Sequence, residues 1–225
     1  MPTQIYKLQN GSRVSGVTTI LSGNLGWDTQ MLIAWARRTA MAGSDPNVIR
    51  DQAADTGTLA HYVVECYVKN QRPIFEDKYT SEQKVAATNC IKGFKAWMNK
   101  YNPTFVDSEL SLISEQYGYG GTIDIVSRVN NMLIINDIKT SNFVSPKMII
   151  QVAAYKKLYE ENKPDKICGC EIIQLDKEKP GYKLYKIDND LLELGWQAFE
   201  KLIYLHNIKK EFKLPLTDEG VLINE

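Results

Sequence analysis

Two aspartates and a lysine stand where apolar strands would hold them close together. Asp124 lies in the run Gly120-Gly121-Thr122-Ile123-Asp124-Ile125-Val126. Asp137 and Lys139 lie in Leu133-Ile134-Ile135-Asn136-Asp137-Ile138-Lys139-Thr140-Ser141. Side chains alternate along a strand, so Asp137 and Lys139 project from one face. The two runs meet at Asn130-Asn131, a dipeptide that accepts the positive φ angles of a tight hairpin. Counting from that turn sets Val129 against Met132, Val126 against Ile135 and Asp124 against Asp137. Opposed side chains lie about 5 Å apart, where like charges repel, so the facing aspartates need a cation between them. Mg²⁺ and Mn²⁺ bind such oxygen pairs. A lysine beside them can orient an attacking water or offset charge growing on a phosphate. Asp-x-Lys on a strand is by itself usually a solvated face. Here the apolar flanks put the charges on buried strands, where they are rare unless paired or bound to metal.

These strands need a scaffold, and the rest of the chain supplies helices for it. The spacing of Trp27, Met31, Leu32 and Trp35 predicts a helix near 28–41. Gly43-Ser44-Asp45-Pro46 breaks it, and Asp45 can cap a second helix from Val48 to Val68, interrupted near Gly57. A third spans 81–100, with Ser81 as N-cap and Val85, Ile91, Phe94 and Met98 on its apolar side. Strands follow at 104–114, 119–129 and 132–140 as an antiparallel meander. Pro146 opens a helix to Glu161. Strands at 166–176 and 182–187 flank the Pro180-Gly181 turn, and a last helix runs from Asp188 or Asn189 to Phe212. Residues 1–26 read as a short β-like start with Gly and Ser punctuation. This order predicts an α/β layer fold with a mixed sheet and an N-terminal helical elaboration. The expected organisation is one domain over 1–225: a mainly helical wall to residue 100, a sheet core over 101–190 and a C-terminal helix over 188–213.

The 225 residues are 44% hydrophobic and 24% charged, an ordinary balance for a soluble globular protein. No apolar run reaches membrane-spanning length, and the N-terminus lacks a signal-peptide pattern. Acidic and basic residues balance at 27 each, which argues against a broad non-specific nucleic-acid coat. It leaves room for basic groups in a narrow channel. Cys66, Cys90, Cys168 and Cys170 lack zinc-site spacing and read as reduced, mostly buried thiols of a cytosol-like compartment.

Several separated blocks, in order, resemble the PD-(D/E)xK nuclease superfamily in its RecB-type branch, which includes phage and mitochondrial genome-maintenance exonucleases. They are Val17-Thr18-Thr19-Ile20-Leu21, Gly57-Thr58-Leu59-Ala60-His61, Glu109, Gly121-Thr122-Ile123-Asp124, Asp137-Ile138-Lys139-Thr140-Ser141 and Gln151-Val152-Ala153-Ala154-Tyr155. The resemblance covers about residues 13–160. It implies a restriction-endonuclease-like core. It also implies that His61, Glu109, Asp124, Asp137 and the Ile138 carbonyl hold one or two Mg²⁺ or Mn²⁺ ions. Lys139 would serve the attacking water. Gln151 and Tyr155, one helical turn apart, would contact the DNA strand together with Thr140 and Ser141. Relatives with an iron–sulfur cluster use one early and three late cysteines. The spacing here differs, so no iron–sulfur cluster is expected. Arg37 and Arg38 could grip a terminal phosphate, although solvated helix arginines are commoner. His206 and the tryptophans read as structural.

The expected activity is therefore metal-dependent hydrolysis of DNA, as an exonuclease on single strands or free ends in replication, recombination or repair. A replication or recombination protein is a conceivable partner, and the cytoplasm of a bacterium or phage-infected cell the expected place. The alternatives are a structure-specific endonuclease or resolvase, and a non-catalytic nucleic-acid-binding module on the same fold.

Overall fold

The computed structural model describes residues 4–209 and 211–212. The elements are β1 (Tyr6–Lys7), β2 (Arg13–Gly16), α1 (Val17–Asn24), α2 (Thr29–Met41), α3 (Pro46–Val68) and α4 (Ser81–Tyr101). There follow β3 (Thr104–Ser114), β4 (Tyr119–Val129), β5 (Met132–Lys139), α5 (Pro146–Asn162), β6 (Gly169–Leu175), β7 (Tyr182–Ile187) and α6 (Asn189–Ile208). The strands form one mixed sheet in the order β1-β2-β4-β5-β6-β7, with β3 also on β4. The β2–β4 and β5–β6 pairs are parallel and the others antiparallel. The fold is thus α/β with a mixed central sheet flanked by helices and an N-terminal helical part, as expected. Among the described residues no helix is long and apolar enough to cross a membrane.

The hairpin forms as counted. Asn130 and Asn131 have φ of 49° and 66°, and Val129 pairs with Met132 and Val126 with Ile135. Two cores sandwich the sheet. On one side α1, α5 and α6 pack Ile20, Leu158, Tyr159 and Phe199 against Ile123, Val126 and Ile135. On the other, α3 and α4 pack Ala60, Val64, Phe94 and Trp97 against Ile125, Ile138 and Ile173. Burying apolar side chains of this size stabilises by about 2–3 kcal/mol each.

Several local expectations change. Residues Val17–Asn24 are helical, although their Gly and Ser content reads as punctuation; Ile20 and Leu21 are fully buried, so packing outweighs propensity. Asp45 caps α3 through the Asn47 N–H, but α3 starts at Pro46 and runs unbroken through Gly57. Thr80, not Ser81, caps α4, in a reciprocal capping box with Gln83. The buried side of α4 is Ala87, Cys90, Phe94 and Trp97, which leaves Val85 exposed. The helix α2 buries none of its residues, and Trp27, Met31 and Leu32 are exposed. The last helix ends at Ile208 rather than Phe212. There His206 bonds Ser15 (2.8 Å) and Asn24 (3.1 Å), tying α6 to β2 and α1, the structural role expected of it. The cysteines form no disulfide; Cys66, Cys90 and Cys170 are buried and Cys168 is exposed.

Candidate metal centre

The candidate centre forms where two strands change faces together. In β4, Ile123 packs in the α5-side core, whereas Ile125, two residues on, packs in the α4-side core. An undisturbed strand would keep both on one side, so the alternation slips at Asp124. Residue Glu109 faces this point from β3, between the pairs Ser108–Ile125 and Leu110–Ile123. Its φ is +53°, a left-handed conformation costing on the order of 1–3 kcal/mol for a non-glycine residue. Such strain persists only where the surroundings fix it, and it gathers at working sites.

The slip gives Asp124 neighbours from both layers. Its Oδ2 accepts the Ile138 N–H at 2.8 Å and lies 3.6 Å from His61 Nδ1 of α3. The expected β4–β5 register runs as far as Ile125–Asn136 and stops one pair short of Asp124 and Asp137. Among the described residues, one group of histidine, cysteine and acidic side chains is spaced to share an ion. It consists of His61, Glu109 and Asp124, each offering a ligand atom, all within 4.8 Å of one another. A pocket of about 350 Å³, lined by these three with Ala54, Gly57 and Thr58, opens beside them. The α3 helix passes the loop after β5 at Gly57, where a Cβ would lie 3.3 Å from Thr140 Oγ1, a tight contact that the Thr140 side chain would have to ease.

Asp137, expected opposite Asp124 in a shared site, is not in that group. It is 1% exposed, and its Oδ2 forms an ion pair with Lys139 Nζ at 2.6 Å. The other oxygen accepts from Gln151 Nε2 at 3.4 Å, and the same amide donates to Tyr155 Oη at 3.0 Å. Gln151 and Tyr155 thus meet the predicted carboxylate from one face of α5. Gly121 leaves space for the Tyr155 ring: a Cβ there would lie 2.8 Å from Tyr155 Cε1. Gly120 leaves space in the same way for the Tyr6 ring.

The charges strain against burial. Burial first, then the carboxylates of Asp124 and Glu65, pushes the Glu109 carboxyl up to about 8. Burial likewise raises Asp137 to about 6, with Asp124 adding to the rise and Lys139 opposing it. For Lys139 burial disfavours the charge, but the two aspartates outweigh it and the ammonium is held above its ordinary value. The Tyr155 phenol, raised by burial and then by Asp137 and Asp124, stays protonated. A divalent cation fits this donor set, because it offsets the repulsion among the carboxylates.

A stability prediction follows. The folded protein holds the Glu109 proton more tightly than the unfolded chain, so this contribution is present below about pH 4.5 and is lost as pH rises to about 8. Metal-free protein should melt at progressively lower temperature across that window. Glu109→Gln should flatten the decline and raise the melting temperature at the alkaline end. Thermal melts in EDTA over a pH series test this, and an unchanged profile in the variant would contradict it.

The other predicted residues lie further out. Ile138 is buried and reaches the centre through its N–H. Thr140 borders Gly57, while Ser141 turns to the next loop, its Oγ donating to Phe143 O at 2.8 Å. Arg37 and Arg38 are exposed on α2, and neither bonds to the centre among the described residues. Sequence reading passed over the hydroxyl chain Tyr6–Thr122–Ser111 (2.9 and 2.8 Å). Only the conjunction of Gly120 with a distant tyrosine could have signalled it. Glu65 bonds Lys69 at 2.7 Å and adds its charge to the field on Glu109.

No protein-family model matches the chain, and no curated protein sequence matches it. Among solved structures it is similar to a protein from Eubacterium rectale provisionally named an exonuclease. Identity is 15% and the TM-score 0.49, over 68% of this chain and 68% of that one. It is also similar to an alkaline exonuclease from Laribacter hongkongensis, at 14% identity and a TM-score of 0.36, over 68% of this chain and 84% of that one. That enzyme in complex with dAMP gives 13% identity and a TM-score of 0.35, over 68% and 85%.

Proposed function

We propose that this protein is a metal-dependent deoxyribonuclease of the PD-(D/E)xK type, an exonuclease acting on single strands or free ends. One observation carries the reading: His61, Glu109 and Asp124 form a ligand cluster within 4.8 Å, beside the buried Asp137–Lys139 ion pair. Asp137 and the Ile138 carbonyl would complete the ligand set. A bound divalent cation would supply Lewis-acid stabilisation of phosphoryl charge and make water more acidic.

The chain's own groups do the rest. The Lys139 ammonium, half-buried and held by Asp137, can donate to the attacking water or to a non-bridging phosphate oxygen. Gln151 fixes Asp137 Oδ1 and the Tyr155 hydroxyl together, so the carboxylate keeps its orientation as charge moves. Asp124 orients the backbone at Ile138 while facing the pocket.

The test is degradation of end-labelled single- and double-stranded DNA with Mg²⁺, Mn²⁺ or EDTA. Cleavage that needs metal, with a ladder starting at one end, is the expected result; no cleavage of any DNA would reject the reading. Imidazole is a better ligand for Mn²⁺ than for Mg²⁺, so Mn²⁺ should bind more tightly. His61→Ala should weaken Mn²⁺ binding by on the order of tenfold or more and Mg²⁺ binding less. Calorimetric titration of both ions reads the difference directly.

A further inference from the structure

A second groove adjoins the metal pocket, and no step described so far uses it. It has a volume of about 340 Å³ and runs between the loop after β5 and the β6–β7 hairpin. Thr140, Ser141 and Asn142 line one wall, and Lys177, Lys179 and Lys183 the other. The groove and the metal pocket meet at Thr140, which lines the groove and borders Gly57 of the metal pocket.

Both walls are fixed. Gln174, 7% exposed, donates to Ser141 O at 2.6 Å and accepts from Tyr185 Oη at 3.1 Å, which holds the first wall. The hairpin is clamped to α4. Asn89 Nδ2 donates to the carbonyls of Lys177 (2.9 Å) and Glu178 (3.1 Å), Cys90 Sγ lies 3.7 Å from Asp176 O, and Gly93 packs directly on Gly181. Two carboxylates share the groove with the three lysines. Asp176 spends Oδ1 on the N–H groups of Glu178 (2.8 Å) and Lys179 (3.2 Å), and Glu178 is exposed on the turn. Among the described residues none of the three lysines lies within ion-pair distance of a carboxylate. Lys179 and Lys183 act on the Asp176 carboxylate without closing an ion pair, and ammonium groups on this clamped β6–β7 hairpin, next to hydroxyl and amide side chains, suit a row of phosphates.

We propose that this groove carries one nucleic-acid strand past the metal centre, with Lys177, Lys179 and Lys183 holding its sugar–phosphate backbone. The inference rests on the nuclease reading and adds the strand's path, which the neutral overall charge does not reveal. It predicts that the three lysines govern long substrates and not the chemical step.

The experiment compares the unaltered protein with K177A/K179A/K183A and with a charge-matched control, K163A/K166A/K201A. Binding of a long labelled single strand is measured against salt in a Ca²⁺ buffer that suppresses turnover. Turnover is read separately on the p-nitrophenyl ester of thymidine monophosphate, too short to enter the groove. The groove variant should lose on the order of tenfold or more in affinity. Its log–log salt slope should flatten by about 2, at ~0.7 per single-strand phosphate contact. The control should keep both, and the short ester should be hydrolysed equally by all three proteins. If the triple variant folds poorly, Lys183→Glu alone should show the same loss in smaller measure. Unchanged affinity and slope, with the unaltered protein binding and cleaving long strands, would overturn the groove and leave the nuclease reading standing. If the unaltered protein binds no strand and hydrolyses neither substrate, the nuclease reading fails and the groove with it.

Discussion

Asp124→Asn is expected to reduce metal-dependent DNA cleavage by on the order of a thousandfold or more, because several kcal/mol of transition-state stabilisation depend on a correctly held cation. Asp124 is the one carboxylate that belongs to both halves of the centre: it lies with His61 and Glu109 and it accepts the Ile138 N–H. Asparagine keeps an acceptor oxygen for that N–H, so the strand geometry should survive while the charge is lost. The substitution also removes one source of repulsion on Glu109, so the metal-free variant should be no less stable than the unaltered protein. Initial rates on an end-labelled strand, calorimetric Mn²⁺ binding and a thermal melt check the three parts. Cleavage within tenfold of the unaltered rate would remove Asp124 from the centre.

Lys139→Ala should give the second large effect, on activity and stability together. The substitution leaves Asp137, 1% exposed, without its cation. Breaking a buried pair from one side costs about 3–5 kcal/mol. The Asp137 carboxyl already sits at about 6 against burial. Without Lys139 it should rise further, so the variant should lose stability most at alkaline pH, where the lone carboxylate must ionise. Cleavage should fall on the order of a hundredfold or more, as for other lost electrostatic donors. The double substitution Asp137→Asn with Lys139→Met separates the two roles. It removes both charges, so it should recover most of the stability and none of the activity. A double-mutant cycle on denaturation midpoints and cleavage rates reads both. A double variant as unstable as Lys139→Ala would show that the pair is not what holds Asp137 in the core.

Much of this was legible along the chain. The Asn130–Asn131 turn fixed the hairpin register, because strand pairing from a tight turn is local arithmetic. The shared face of Asp137 and Lys139 followed from the two-residue period of a strand, and the pair closes at 2.6 Å. The resemblance singled out Gln151 and Tyr155, the helical period put them on one face, and that face of α5 meets Asp137. The balance of layers was legible too, since runs of strand and helix pattern alternate in the order that a mixed sheet requires.

The resemblance named His61, Glu109 and Asp124 among the ligands, and the three do cluster, but nothing along the chain showed that Asp137 would stand apart from them. Periodicity assigns Asp124 and Asp137 to opposed positions, but it assumes that alternation continues. It slips at Asp124 and Glu109, where the odd-numbered residues of β4 change from the α5-side core (Ile123) to the α4-side core (Ile125). That slip depends on helices packed against both faces of the sheet, which no window of sequence contains. Likewise His61 reaches Asp124 because α3 crosses closely at Gly57 and Thr140, residues far apart in the chain. The exposed apolar side chains of α2 show the same limit: helical spacing announced a helix, but only neighbouring elements decide whether its stripe is covered. By itself the sequence determined the strands, the hairpin register and the carboxylate–lysine pair, all set by interactions within a few residues. The tertiary structure decided which carboxylate joins the histidine and where the lysine-lined groove lies, because both depend on contacts between separate layers.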